Sequence, residues 1–67
     1  MTTRDERAAQ YNSRAVSKHM LVQTYRQGFR TDDGRWVQYM ASAHPPETWR
    51  KDEIIASLLN AEFGFAS

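Results

Sequence analysis

The chain has no cysteine, only three glycines and two prolines, and no apolar run longer than segments such as Met20-Leu21-Val22. Each scarcity excludes something. Without cysteine there is no disulfide and no thiolate zinc site, a composition that suits a reducing, cytoplasmic compartment. Without a long apolar run no segment crosses a bilayer as a helix. Arg4, Asp5, Glu6, Arg7, Arg14 and Lys18 fill the first twenty residues with charge, so no secretory signal core is expected there. None of the glycines stands in a phosphate-cradling pattern.

Catalytic groupings are also missing. The two histidines, His19 and His44, lie far apart with no carboxylate at a recognised ligand spacing, so no metal site is expected. No serine has the G-x-S-x-G or S-x-x-K setting that activates an oxygen. The reading is therefore a non-enzymatic protein with no catalytic residue, no cofactor and no membrane partner.

What is present is the composition of a folded domain: 67 residues, 40% hydrophobic and 12% aromatic. A chain this short buries only about 60% of its unfolded surface, so a partner or a second copy would add needed burial. Net charge is +1 but uneven. Residues 1–30 hold six basic and two acidic side chains, whereas residues 31–67 hold three basic and six acidic. Such asymmetry means either that the first half faces a polyanion or that the halves attract each other across the fold.

Local signals divide the chain into helix, hairpin and helix. Thr3 and Glu6 have capping-box spacing, opening an amphipathic helix over about 3–19. Its apolar arc is Ala8, Ala9, Ala15, Val16 and Met20, and its basic stripe is Arg7, Arg14 and Lys18 with Tyr11. Residues 22–41 read as a β-hairpin, because β-branched and aromatic residues flank Asp32-Asp33-Gly34. A helix running on to a stop at Gly28 is the competing possibility for residues 19–28. With Thr31 opposite Arg35, the register pairs Phe29 with Val37, Gln27 with Tyr39 and Tyr25 with Ala41. The two aspartates are assigned to the turn, bonding their own backbone. His44-Pro45-Pro46 ends this unit. A second helix over about 47–63 follows, with Ile54, Ile55, Leu58 and Leu59 as its buried stripe. Gly64 stands as a left-handed stop that lets Phe65 fold back on Leu59.

The expectation is an α+β fold: a helix–β-hairpin–helix, two-layer single domain spanning 1–67. The alternative is a three-helix bundle in which Asp32 caps a middle helix burying Trp36, Val37, Met40 and Ala41. The helix–hairpin–helix order is also met in small phage structural proteins and suits a phage or mobile-element accessory protein, although no motif ties this chain to them. In the hairpin reading, Trp36, Arg30, Arg26 and Met40 share the outer face with Gly28 and Gln38, and the first four are the candidate contact residues. Tryptophan and arginine are enriched at interface hot spots, so this face is the expected contact with a larger protein or complex that the chain modulates or inhibits. The alternative contact is nucleic acid, through Arg7, Arg14, Lys18 and Tyr11. The third reading is a structural subunit or homodimer, since both strands of a ribbon are edges and Met20, Leu21, Trp49, Phe63 and Phe65 form an apolar surplus.

Overall fold

A computed structural model describes residues 2–40 and 44–64. Three helices and a two-stranded antiparallel hairpin pack as one small α+β domain. The elements are α1 (Arg4–Tyr11), α2 (Lys18–Gln27), β1 (Phe29–Arg30), β2 (Trp36–Val37) and α3 (Lys51–Phe63), with a 3-10 turn at Pro46–Thr48.

The expected first helix is in fact two. Its start follows the sequence: the Thr3 hydroxyl accepts from the Glu6 N–H at 3.1 Å, and Glu6 Oε1 accepts from the Thr3 N–H at 3.4 Å. Asp5 and Glu6 lie in the first turn, where the helix dipole favours carboxylates. The helix stops at Tyr11 because Asn12 and Ser13 offer the backbone other partners. Asn12 Nδ2 donates to the Ala8 carbonyl at 3.0 Å, and Ser13 Oγ accepts from the Ala15 N–H at 3.2 Å. Ser17 then caps α2 by accepting from the Met20 N–H. Ala9, Ala15 and Met20, placed on one apolar arc by a continuous helix, are consequently exposed.

Residues 22–27 are helical, not strand. Tertiary burial of Leu21 and Val22 outweighs the β-preference of this run, and the helix continues to Gly28, whose φ is +88°. The hairpin is therefore shorter than the expected 22–41. Its register is as read: Phe29 pairs with Val37 and Arg30 with Trp36. The Thr31 N–H donates to the Arg35 carbonyl and the Gly34 N–H to the Thr31 carbonyl. With Gly34 at φ +88°, this is a type I turn closed by a glycine bulge. Beyond Val37 the ladder does not continue as expected: the Tyr39 N–H donates to the Tyr25 carbonyl in α2. The pairing of Tyr25 with Ala41 falls partly outside the described residues. No middle helix forms over 32–40, so the bundle alternative is not the fold.

The last helix starts at Lys51, four residues later than expected. Pro45 and Pro46 lead into the 3-10 turn, and Trp49 and Arg50 are extended. Its buried stripe is as read. Ile54, Ile55, Leu58 and Leu59 join Leu21 and Val22 as the core, with Tyr11, Val16, Tyr25, Phe29, Trp49 and Phe63 packed around it. Gly64 takes a positive φ of 81°, but its ψ of 173° sends the chain out extended. It is not the left-handed stop expected, and Phe65 lies outside the described residues. No helix among the described residues is long and apolar enough to cross a membrane.

Candidate functional site

The hairpin divides its side chains by strand alternation. Val37 is buried and Phe29 packs on the core, while Arg30 and Trp36 face outward. Among the described residues the exposed large hydrophobics are Met20 (48%), Trp36 (54%) and Met40 (78%). Two of these three therefore sit on or beside β2.

Trp36 is held in place from several sides. A Cβ added at Gly28 would come within 2.4 Å of its Cζ2 atom, so the indole lies over backbone that has no side chain to displace it. Its Nε1 donates to Gln38 Oε1 at 3.1 Å, and Gln38 Nε2 donates to the Arg26 carbonyl at 3.0 Å. The Arg30 guanidinium stands 5.7 Å from the ring centroid and donates to the Gly34 carbonyl at 2.7 Å. The cation is drawn to the negative face of the ring, and among the described residues it has no carboxylate partner.

Arg26 is differently engaged. Its Nε and Nη2 atoms form a forked pair with Glu47 at 2.7–3.0 Å, and its guanidinium lies 5.3 Å from the Tyr39 centroid. The bidentate bond holds the Glu47 carboxyl below its ordinary range and raises that of Arg26. Arg26 is thus a strut between α2 and the 3-10 turn, at the margin of the Trp36 face. Beside it, Tyr25, Tyr39 and Trp49 form a triad with centroids 5.6–6.3 Å apart and interplanar angles of 58–77°. Tyr39 packs edge to face with both other rings, Tyr25 and Trp49 are tilted, and at those spacings no room is left for a cation between them. The triad is packing, not an aromatic cage.

The basic stripe read from a continuous helix is dispersed. Arg7 turns inward, with Nη2 3.2 Å from Asp32 and Nε 3.6 Å from Glu62. Tyr11 packs on the core, and burial, then the Glu62 charge, raise its hydroxyl above the ordinary range. Arg14 remains exposed, and Lys18 donates to the Glu47 carbonyl at 3.0 Å. Arg4, from the same helix, donates to Asn60 Oδ1 and the Gly64 carbonyl. Much of the charge asymmetry is therefore spent inside the fold: Arg7 with Asp32 and Glu62, and Arg26 with Glu47, each join the basic half to the acidic half.

The two aspartates of the turn differ: the Asp33 carboxylate meets the Arg35 backbone N–H two residues on, as expected of a turn aspartate, whereas Asp32 bonds outside the turn. Asp32 accepts from the Thr2 N–H at 2.8 Å and from Arg7, and Asp33 accepts from the Thr31 hydroxyl and from Arg35. These bonds hold both carboxyls below their ordinary range. The Arg35 guanidinium also donates to the Glu62 carbonyl, fastening the hairpin to the end of α3. No group of three His, Asp or Glu among the described residues is gathered for a metal ion.

Sequence reasoning placed Gly28 and Gln38 on the outer face but did not foresee that they fix the indole, and it missed Glu62, which is only 4% exposed. Glu62 was detectable: it stands three and four residues after Leu59 and Leu58, on the buried arc of the helix. The surface also holds two open grooves, of ≈ 400 Å³ at Lys18, His19, Val22 and Glu47 and of ≈ 340 Å³ at Tyr25, Ser57, Asn60 and Ala61. No protein-family model, curated protein or solved structure matches the chain.

Proposed function

We propose that this chain is a small non-enzymatic binding module that docks on a larger protein and modulates it through the outer face of the hairpin. Trp36 and Met40 are the anchors, Arg30 is the charged contact, and Arg26 lies at the margin. The observation that carries this reading is an indole left 54% exposed although Gly28, Gln38 and Arg30 hold it in one place. A pre-positioned aromatic loses little side-chain entropy on binding, and Trp with Arg is the usual make-up of an interface hot spot.

Met40 provides the cleaner test, because at 78% exposure its replacement does little to the fold. Tagged chain and its Met40→Glu variant are used to capture proteins from extracts of the source cells, and the captured proteins are identified by mass spectrometry. The expected result is a partner recovered by the unaltered chain and lost with Met40→Glu, at an unchanged melting temperature. Equal recovery by both would overturn the reading. Sedimentation of the purified chain addresses self-association through the strand edges, which predicts a discrete dimer that Met40→Glu dissociates.

A further inference from the structure

The starts of α2 and α3 are joined by two lysines that cross in opposite directions. Lys18, the first residue of α2, donates to the carbonyl of Glu47 in the turn leading into α3. Lys51, the first residue of α3, donates at 3.4 Å to the carbonyl of Ser13 in the loop leading into α2. Each ammonium keeps donors to spare, since it has three; neither forms a direct ion pair among the described residues, although the Lys18 charge is felt by the Glu47 carboxylate, which Arg26 holds. Arg14 is exposed beside Ser13, with no ion pair or hydrogen bond among the described residues.

The acids nearby are already engaged. Glu47 is forked by Arg26, and Asp52 lies 3.6 Å from Arg50. His19 and Lys18 line the ≈ 400 Å³ open groove at this end of the molecule. The cations thus come from three segments that the sequence separates: the α1–α2 loop, α2 and α3.

We infer that Arg14, Lys18 and Lys51 form a surface that binds the phosphate backbone of nucleic acid, independently of the hairpin face. A protein partner is a poorer fit, because an interface needs an aromatic or aliphatic centre, and of the exposed large hydrophobics among the described residues α2 carries Met20 alone, while Trp36 stands on the hairpin. A phosphate backbone needs only cations at reach, and its binding weakens with salt as counterions are released.

The test is fluorescence anisotropy of a short labelled DNA duplex at low and rising salt. Three phosphates neutralised give a logarithmic salt slope of about −2.7. Arg14→Gln, which touches no structural bond, lowers the slope's magnitude by about 0.9, and the Arg14→Gln/Lys51→Gln pair lowers it by about twice that. Arg30→Gln, on the hairpin, leaves binding as it was. Absence of binding at low salt overturns the proposal, as does binding that is indifferent to Arg14→Gln or equally sensitive to Arg30→Gln. Poly-glutamate binding as tightly as the duplex would also overturn it, by making the surface a site for acidic protein.

Discussion

Two helices share α3 as a partner and hold it by opposite means. The α2–α3 contact is apolar: Leu21 and Val22 meet Ile54, Ile55, Leu58 and Leu59. The α1 helix buries no residue fully: Ala8 and Tyr11 pack only on the rim of the core, and polar bonds supply the rest of the hold, Arg4 to Asn60 and Gly64 and Arg7 to Glu62. Burial of apolar surface is non-directional and is not weakened by the ionic screening that acts on charges. Charge pairs are directional, and a partly exposed one is worth little once water and ions compete. The domain thus has a firm half and a clipped half, and the hairpin turn belongs to the clipped one, because Asp32 and Arg35 tie it to α1 and α3.

The firm half gives the largest expected effect. Leu58 is fully buried between the helices, and Leu58→Ala costs about 3–5 kcal/mol through lost transfer energy and a residual cavity. A chain of this size has a total stability of roughly 3–10 kcal/mol. Urea denaturation followed by circular dichroism should therefore find the variant largely or wholly unfolded. A loss under about 1 kcal/mol would erase the distinction between the two halves.

Arg7→Ala measures the clipped half. It removes the only cation paired with Glu62 among the described residues and leaves a carboxylate with both oxygens buried and without a hydrogen-bond donor. The expected cost is about 1–3 kcal/mol. The Arg7→Met/Glu62→Leu pair should recover most of it, because an apolar pair of similar size replaces a buried ion pair at little cost. A double-mutant cycle in urea, closed with the single variants Arg7→Met and Glu62→Leu, reads this coupling. Additive losses would show that Arg7 and Glu62 act separately.

Legibility cuts across the two halves. The stripe of α3 repeats at helical spacing, and the turn at Asp32-Asp33-Gly34 announces its own register, so both were readable from residues alone. The break between α1 and α2 was hidden because Ala15, Val16 and Met20 continue the apolar arc on a helical wheel. What ends the helix is side-chain hydrogen bonding by Asn12 and Ser13, which competes locally with the helix. Val22 to Tyr25 carry strand-like side chains, yet burial of Leu21 and Val22 against α3 makes them helical. For the candidate site, the outward placement of Trp36 and Arg30 followed from the register. The fates of Arg7 and Lys51 did not, because they depend on contacts 25 and 38 residues away in sequence.

Two glycines repeat the comparison on a smaller scale. Both Gly28 and Gly34 have φ of +88°, where any other residue is strained by about 1–2 kcal/mol. Gly34, in the clipped half, has nothing within 4 Å of an added Cβ, whereas at Gly28 the Trp36 ring is 2.4 Å away. Gly34→Ala should therefore cost about 1 kcal/mol, and Gly28→Ala distinctly more, with a displaced indole. Tryptophan fluorescence separates them: a shift for Gly28→Ala and none for Gly34→Ala. Equal costs would mean that the indole moves aside freely, and its pre-positioning, on which the docking proposal depends, would be lost.

Acid should loosen the clipped half with the smallest effect of all. Asp32 titrates below its ordinary value of 3.8, because Thr2 donates to it and Arg7 faces it. Asp33 does so through Thr31 and Arg35. A carboxyl whose folded value is depressed binds protons more weakly than in the unfolded chain. Its stabilisation is therefore complete above about pH 4 and is lost as pH falls through the folded value. The Thr2 amide, which donates to Asp32 at 2.8 Å, reports the event directly. In proton–nitrogen correlation spectra its shift should move with a midpoint below 3.8, accompanied by Arg7 and Arg35. The methyl signals of Leu21 and Leu58 should stay in place through the same range, because no charge joins α2 to α3 at those residues. If core methyls and the Thr2 amide moved together, the two halves would be a single cooperative unit. The arginine clips would then be as much a part of the core as the leucines.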